Sequence, residues 1–416
     1  MYADANGRIF DHPRLRMAGC AGGGGEAVPT EELAPMPRGS DLFTLPGRRP
    51  VGIDPDTGKL EMLDGPVTAV ATFLAPAWLR LRHPVFHTMP DAPILPLYAY
   101  TAMGYADGKF WAPAVRVDPE ARQDPWRFDL DVIAREVSRE RSERPENKLV
   151  QQLERCALDY GCRAAQNYFL ARFEAPLPAS EGCNAACVGC ISLQPKGSCV
   201  AAHERILKHP DPAEIADVAC AHIARVDRAV VSFGQGCEGE PILRGDVLEE
   251  SIRLIRQRTD RGTIHLNSNA SLPGVIDRLC SAGLQSLRIS MNAADPETYA
   301  LYYRPRGYTF ADVTESARTV KRHGGFVSLN LLVFPGVNDL EPELRALEDF
   351  MADVGIDMIQ LRNLNVDVEL YRKCLGPERH GRGIGFLAMM KRLSARFPKL
   401  RYGYFNPPRE TFVSAA

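Results

Sequence analysis

Three cysteines in the middle of the chain have a spacing that suits an iron–sulfur cluster. Cys183, Cys187 and Cys190 form C-x3-C-x2-C within the segment EGCNAACVGC. Thiolates with this spacing on a loop are able to bind three corners of a cubic 4Fe-4S cluster, which leaves the fourth iron without a protein ligand. An open iron is a reactive site, whereas a cluster held by four thiolates mostly carries electrons. The triplet therefore predicts a reactive cluster.

Two other interpretations of these cysteines stay open. C-x2-C pairs often hold zinc, and Cys199 or His203 could supply a fourth zinc ligand. The protein would then be a zinc-stabilised binding module. A fourth cysteine ligand on a cluster would instead give an iron–sulfur electron-transfer or redox-sensing protein. Both alternatives lack a reason for the motifs that follow.

Five motifs follow one another at similar intervals, each directly after a β-prone run. The cysteine loop is the first, and Gly-Glu-Pro at 239–241 is the second. Asn-Ser-Asn at 267–269, Ser-Met-Asn at 290–292 and VFPGVND at 333–339 complete the series. This order and spacing resembles the radical S-adenosylmethionine (radical SAM) superfamily over about residues 178–365.

The Gly-Glu-Pro motif resembles the element that binds the methionine amino group of SAM in this superfamily. The resemblance implies that Gly239 lets the backbone approach the ligand and that Glu240 accepts from its ammonium group. The chain departs from the family pattern in two places. Glu238 stands where a glycine is usual, and Gly189 stands where an aromatic residue normally shields adenine. Ile191 or another group would have to replace that aromatic residue.

The two later motifs carry the other expected contacts to SAM. Alternation along a strand puts Ser290 and Asn292 on the same side, and the resemblance implies that they meet the ribose hydroxyls and the carboxylate. The backbone at Pro335 and Gly336 would lie beside adenine. Simple capping of the next helix is the alternative for the first pair, and a tight turn is the alternative for the second.

The resemblance also implies a mechanism. A reduced 4Fe-4S cluster cleaves SAM to methionine and a 5′-deoxyadenosyl radical, which removes a hydrogen atom from the substrate. The cofactors supply this chemistry, and the protein supplies binding, orientation and exclusion of water. An apolar barrel interior with few polar groups is therefore expected. The expected partners are a reductant such as flavodoxin or ferredoxin and an unidentified substrate, which is a peptide or a small molecule.

The elements that must position these motifs alternate regularly from about residue 176. Amphipathic helices separate β-rich runs that recur about every 30 residues, the length of a strand–helix unit. The runs are AVVSF at 229–233, TIHL at 263–266, LRISM at 287–291, VSLNLLVF at 327–334 and MIQL at 358–361. With one strand before the cysteine loop, they predict an α/β fold, a partial (β/α)6 TIM-like barrel whose active site lies at the carboxyl ends of its strands.

The sequence before this barrel has a different character. Residues 1–50 are rich in Gly and Pro and are expected to be irregular, while 51–175 predict an accessory α+β region of hairpin-like strands and helices. The barrel is expected over 176–400, with a tail at 401–416. Since every cofactor motif lies downstream, we expect the first 175 residues to govern substrate access and to be dispensable for SAM cleavage.

Composition is that of an ordinary globular chain. The 416 residues carry a formal net charge of −2, which gives no electrostatic footprint for nucleic acid. No run of 18 apolar residues predicts a membrane span. Eleven cysteines, an odd number that clusters unevenly, do not resemble a disulfide framework. A reducing cytoplasm is the expected location.

Overall fold

The computed structural model of the protein describes residues 1–196 and 198–412. A parallel sheet wrapped by helices forms the carboxyl-terminal part, and antiparallel strands followed by three helices form the amino-terminal part. This arrangement confirms the expected fold class, a partial TIM-like barrel with an additional α+β region. No helix in the described part of the chain is long and apolar enough to cross a membrane.

Seven strands form the barrel sheet, and every neighbouring pair is parallel. Their spatial order follows their order in the chain. The strands are β16 (Glu174–Pro176), β17 (Val230–Phe233), β18 (Thr263–Ser268), β19 (Ser286–Met291), β20 (Phe326–Val333), β21 (Met358–Asn363) and β22 (Arg401–Gly403).

Helices connect the strands and cover the outer face of the sheet. Helix α4 follows the long cysteine loop and begins with a capping box between Asp211 and Glu214. The helices of the whole chain are α1 (Leu130–Glu143), α2 (Lys148–Leu158), α3 (Arg163–Phe169), α4 (Pro212–Arg225), α5 (Gly245–Arg258), α6 (Pro273–Ala282), α7 (Pro296–Tyr303), α8 (Phe310–Arg322), α9 (Glu341–Val354), α10 (Val368–Leu375) and α11 (Phe386–Arg396).

Alternation along the strands separates the helix-facing core from the barrel interior. In β19, Leu287, Ile289 and Met291 are fully buried under the helices. Arg288 and Ser290, which lie between them, face inward and line the interior. The same period of two decides which residues of each motif reach the site.

The seventh strand was not expected, and it lies within the segment predicted as a tail. It is only three residues long, so it has little periodicity to detect. The chain beyond it passes the amino-terminal end of β16. There the Asn406 amide donates to Glu174 of β16 at 2.8 Å and accepts from Gln360 at 3.1 Å. These bonds connect the last strands of the open barrel to the first.

The expectation that residues 1–50 are irregular is wrong. Strands begin at Tyr2, and seven of them lie within residues 2–53. The strands of this region are β1 (Tyr2–Ala3), β2 (Ile9–Phe10), β3 (Arg16–Cys20), β4 (Glu26–Ala27), β5 (Leu33–Pro35), β6 (Asp41–Leu45), β7 (Arg48–Ile53), β8 (Leu60–Met62), β9 (Thr68–Phe73), β10 (Trp78–Arg80), β11 (His83–Pro84), β12 (Phe86–Thr88), β13 (Tyr100–Thr101), β14 (Gly104–Ala106) and β15 (Lys109–Arg116).

The amino-terminal strands dock on the end of β21. The Asn363 side chain accepts from the Arg80 backbone N–H at 2.9 Å and donates to the Trp78 carbonyl at 2.9 Å. Next to this contact, Arg48 and Asp367 form a 2.9 Å ion pair whose side chains are both only 3% exposed. Because a buried charge without its partner is costly, this desolvated pair holds the amino-terminal region in a fixed position against the barrel.

Candidate active site

A cavity of about 420 Å³ lies at the carboxyl ends of the barrel strands. The three cysteines, the Gly-Glu-Pro loop and the Asn-Ser-Asn segment line one side of it. Residues of the amino-terminal region line another side, among them Phe73 and Trp78. The motifs of the first three strands therefore meet at one site, as the parallel topology predicts.

Helix α7 holds the cysteine loop in place through its last two residues. The carbonyl of Tyr303 accepts from the Ala186 N–H at 2.9 Å, and the carbonyl of Tyr302 accepts from the Val188 N–H at 3.0 Å. These carbonyls lie at a helix carboxyl terminus, where they lack intrahelical partners. The helix thus fixes Ala186 and Val188, the two residues on either side of Cys187.

The three thiols fit an iron–sulfur cluster. All three are free, and all three line the cavity. Burial alone would raise the pKa of Cys190, but hydrogen bonds from Ser192 and Arg205 hold it below its ordinary value. The Arg205 guanidinium lies 3.7 Å from the Cys190 Sγ. At Cys190 a nearby cation and donors thus favour thiolate, the form that binds iron, whereas burial raises the pKa of Cys183 and of Cys187.

The same donors do not converge as a single-ion site would require. Within residues 1–196 and 198–412, no three His, Cys, Asp or Glu side chains are grouped to hold one metal ion. Zinc draws its ligands to within about 2.3 Å of a common point. A cubic cluster instead spreads three thiolates over three separate irons.

The Gly-Glu-Pro loop packs directly on the backbone that leads to the first cysteine. Gly239 N–H donates to the Ser180 carbonyl, and Glu240 N–H donates to the Gly182 carbonyl, both at 2.7 Å. A Cβ at Gly239 would lie 2.1 Å from the Gly182 oxygen. Only glycine allows this approach, so Gly239 serves the packing of the two loops.

The Glu240 carboxylate is buried and lines the cavity. It accepts from the Ser268 hydroxyl at 2.6 Å and from the Asn269 and Ile242 N–H groups at 2.8 and 3.2 Å. Burial raises its pKa to about 7, although these bonds act in the opposite direction. A carboxylate offers about four acceptor positions. One therefore remains for a ligand cation, which would also favour the ionised form.

Glu238, the departure from the family pattern, is a brace between the two loops. One carboxylate oxygen accepts from the Gly234 and Gln235 N–H groups at 2.9 and 2.7 Å. The other accepts from the Ala179 and Ser180 N–H groups at 2.7 and 3.0 Å. Four donors on a fully enclosed carboxylate fix the path of both segments. The unusual residue thus stabilises the backbone that carries Glu240.

The structure separates the residues of the two later motifs. Ser290 lines the cavity, but Asn292 does not. The Asn292 amide lies beneath α7, where it donates to the Thr298 carbonyl at 3.2 Å and to the Tyr371 hydroxyl at 3.0 Å. Its side-chain oxygen has no partner among the described residues. The direct contact with SAM expected for Asn292 has no support in this geometry.

Pro335 and Gly336 also lie outside the cavity lining. Gly336 has a φ of +82°, and a Cβ there would lie 2.2 Å from the Gly22 Cα. The turn thus packs against the amino-terminal region. Close packing explains this glycine without a ligand, as the alternative of a tight turn anticipated.

Tyr302 occupies the place of the aromatic residue that is missing at position 189. A Cβ at Gly189 would lie 2.9 Å from both the Tyr302 hydroxyl and the Asn365 carbonyl. The Tyr302 side chain is buried and lines the cavity. An aromatic group at this position is thus supplied by α7 rather than by the cysteine loop. Ile191, the replacement expected from the sequence, also lines the cavity, but Tyr302 already supplies an aromatic group there.

The expectation of an apolar barrel interior is wrong. Arg288, Asn330 and Arg362 all line the cavity. These three residues were not predicted from the sequence because none of them belongs to one of the five motifs. A signal was present, since LRISM and MIQLRN place polar residues at every second position of strands that are otherwise buried.

Comparison with known proteins gives a family for part of the chain. Residues 177–347 match the family model described as Radical SAM superfamily. This part of the chain is a radical SAM domain. The family uses a 4Fe-4S cluster and SAM, and the cysteine triplet lies within the matched residues.

Curated relatives match in part. A GTP 3′,8-cyclase of Petrotoga mobilis is 27% identical over 194 residues, which are 46% of this chain and 51% of the relative. A GTP 3′,8-cyclase of Microcystis aeruginosa is 31% identical over 108 residues, which are 25% of this chain and 32% of the relative. The chain thus spans about half or less of the length of these relatives.

Solved structures of radical SAM enzymes also overlap with the chain in part. SuiB of Streptococcus suis bound to S-adenosylmethionine is 14% identical, with a TM-score of 0.40, over 59% of this chain and 55% of that chain. Methylornithine synthase is 16% identical, with a TM-score of 0.37, over 58% of this chain and 68% of that chain.

Proposed function

We propose that the chain binds one 4Fe-4S cluster through Cys183, Cys187 and Cys190 and binds SAM beside it. When bound, the cluster supplies the electron that cleaves SAM to a 5′-deoxyadenosyl radical for hydrogen abstraction. The observation that supports this proposal most strongly is that the three thiols and the Glu240 carboxylate line one cavity. A redox protein with four thiolate ligands would have no use for the buried acceptor.

The residues of the chain divide the work of holding the ligands. Glu240 accepts from the methionine ammonium, since its free acceptor position faces the cavity and its other positions are occupied. Ser290 stays the candidate for a ribose contact, and Tyr302 provides an aromatic surface beside the cysteine loop. Arg205, near Cys190, offsets negative charge from the thiolates. None of these roles requires Asn292, Pro335 or Gly336.

The amino-terminal region controls access to the reacting atoms in this proposal. Phe73, Leu74 and Trp78 of this region line the cavity, while the proposed cluster ligands all belong to the barrel. A cover of this kind excludes water from the cavity, and a substrate radical requires that exclusion. The electron must come from outside the chain, so a flavodoxin or ferredoxin is the proposed reductant.

Cyclisation of GTP is a second candidate, supported by the partial match to two curated cyclases. Those matches span too little of the relatives to assign the substrate. Incubation of the reconstituted enzyme with GTP, SAM and dithionite tests this candidate directly. A cyclised guanosine product is the expected result if the candidate is right.

Iron analysis tests the proposed ligand set. Alanine at Cys183, Cys187 or Cys190 should abolish or strongly reduce the four irons expected per reconstituted chain, because each thiolate holds a different corner. Cys280→Ala is the matched control, since this free cysteine lies on α6 away from the cavity. It should keep full iron content. Four irons per chain in the triple-alanine variant would refute the assignment.

A further inference from the structure

Two arginines face the barrel interior without an acidic partner. Arg288 projects from β19 and Arg362 from β21, and both line the cavity. Among the described residues, neither forms an ion pair with Asp or Glu; their side chains bond to Gln360 and to the Tyr404 carbonyl. Arginines inside a protein are usually paired, because a desolvated charge is costly. The presence of two arginines without an acidic partner in one cavity therefore needs an explanation.

The existing bonds leave much of each guanidinium free. Arg288 Nη1 donates to the Gln360 side chain at 2.7 Å. Arg362 Nη2 donates to the Tyr404 carbonyl at 2.5 Å, and its guanidinium lies 3.9 Å from the centre of the Tyr404 ring. The buried Nε of each arginine has no acceptor. Since a guanidinium has five N–H donors, most of them remain available to a ligand.

Strand register puts the arginines on either side of one polar layer. Ser290 of β19 is aligned with Asn330 of β20, which is aligned with Gln360 of β21. Arg288 lies two residues before Ser290 in β19, on the amino-terminal side of this layer. Arg362 lies two residues after Gln360 in β21, on its carboxyl-terminal side. The Asn330 amide donates to the Ser290 hydroxyl at 3.4 Å, and its side-chain oxygen, an acceptor, has no donor among the described residues. Unsatisfied groups from three adjacent strands thus face the same space.

The nearest acid to Arg288 is already engaged. Glu174 accepts from Asn406 at 2.8 Å and also bonds to the Ser232 hydroxyl. It connects to Arg288 only through Asn406 and Gln360. Arg362 connects to Asp118 only through the peptide between Tyr404 and Phe405, whose carbonyl accepts from Arg362 and whose N–H donates to the Asp118 carboxylate at 3.3 Å. Among the described residues, neither arginine therefore contacts a carboxylate directly.

The position of the pair separates it from the methionine end of SAM. The cysteines follow β16, and Glu240 follows β17, whereas the arginines belong to β19 and β21. Under the proposed function, the methionine ammonium and carboxylate lie beside the cysteines and Glu240. The guanidinium groups on the other strands are left for the second molecule that shares the cavity.

We infer that the substrate carries an oxyanion, a carboxylate or a phosphate, which binds between Arg288 and Arg362. This inference rests on the proposed function, because it assigns the pair to a substrate that reacts beside SAM. Guanidinium groups hold such oxyanions through two parallel hydrogen bonds, which fixes orientation as well as position. The anion would thereby hold the reacting carbon at a set place in the cavity.

Calorimetry of the reconstituted holoenzyme with SAM present tests the inference. Pyrophosphate and citrate serve as probes for the phosphate and carboxylate forms. The wild type should bind at least one of them, and Arg288→Gln and Arg362→Gln should each weaken that binding at least tenfold. Arg362→Lys, which keeps the charge but loses the planar fork, should fall in between. Arg345→Gln is the control, since Arg345 is 70% exposed on α9 and far from the cavity lining.

Three results would overturn the inference. Neither probe binds at millimolar concentration, or both Gln variants bind the probe as the wild type does, or the variants lose SAM affinity tenfold because the pair holds the SAM carboxylate. Circular dichroism identifies a variant that fails to fold, and the remaining variant then decides. A wild type that binds the probe but releases no 5′-deoxyadenosine contradicts the proposed function and leaves the anion site standing.

Discussion

Gly239 is a residue at which backbone geometry limits the site. Its position allows two loops to approach until the Gly-Glu-Pro segment bonds to the residues before Cys183. The carboxylate of Glu238 ties the same segments together from the other side. The acceptor on Glu240 is therefore placed by its neighbours on both sides.

Replacing Gly239 by alanine should disturb the site more than the size of a methyl group suggests. The added Cβ would lie 2.1 Å from the Gly182 oxygen, so one of the loops must move. We expect a loss of about 1–3 kcal/mol in the free energy of unfolding and weaker SAM binding. Gly274→Ala is the matched control, because a Cβ there meets no atom within 4 Å. If Gly239→Ala and Gly274→Ala have the same free energy of unfolding in urea and the same affinity for SAM, the close approach of the two loops does not determine the site.

Glu343 should make stability depend on pH. Its carboxylate accepts from the Ala294 and Asp295 N–H groups at 2.6 and 3.1 Å, yet burial raises its pKa from 4.5 to about 8. A folded-state pKa above the unfolded value means that stability is present below about pH 4.5 and is lost as the pH rises toward 8. The slope from one such group reaches at most about 1.4 kcal/mol per pH unit.

Glu343→Gln removes this titration. Urea unfolding at pH 5.5 and pH 7.5 should show the variant gaining stability relative to the wild type at the higher pH. A difference between the two proteins that is the same at both pH values would show that Glu343 has no raised pKa.

The residues that sequence could predict are those with distinctive chemistry and spacing. The cysteines, Gly239, Glu240 and Ser290 were predicted, and all of them line the cavity. Arg288 and Arg362 were not, because a single polar residue in a strand has no motif to mark it. Alternation put Asn292 on the same side as Ser290, but Asn292 lies beyond the end of β19, where the chain turns beneath α7.

At the scale of elements, α7 and the barrel strands determine the site together. The strands bring the motifs to one edge, and the end of α7 fixes the cysteine loop through Tyr302 and Tyr303. Regular alternation of strands and helices made six strands of the barrel predictable from sequence. Four of the seven strands within residues 2–53 are only two or three residues long and have no measurable period: β1, β2, β4 and β5.

Helix α1 belongs with the barrel rather than with the strands before it. Its Glu140 is buried and forms ion pairs with Arg144 at 2.8 Å and with Arg225 of α4 at 2.7 Å. It also accepts from the Tyr168 hydroxyl of α3 at 2.9 Å. A chain without α1 would leave Arg225 of α4 and the Tyr168 hydroxyl of α3 without this partner.

At the scale of the whole molecule, a shortened chain tests the division of labour. A chain that begins at Asp129 keeps α1 and all cluster ligands, whereas one that begins near Glu146 loses α1. We expect the longer form to bind cluster and SAM and to cleave SAM slowly without coupling to substrate. The form that begins near Glu146 should be less stable. Iron content, SAM calorimetry and urea unfolding check these expectations, and a longer form that folds but cannot bind SAM would contradict them.

Formation of 5′-deoxyadenosine is the most direct test of the central claim. The full-length protein is reconstituted anaerobically with iron and sulfide and is incubated with SAM and dithionite. We predict that the wild type and Cys280→Ala release 5′-deoxyadenosine and methionine, while Cys187→Ala releases neither. A wild type that holds four irons and binds SAM but gives no 5′-deoxyadenosine would contradict the claim that this cavity performs radical SAM chemistry.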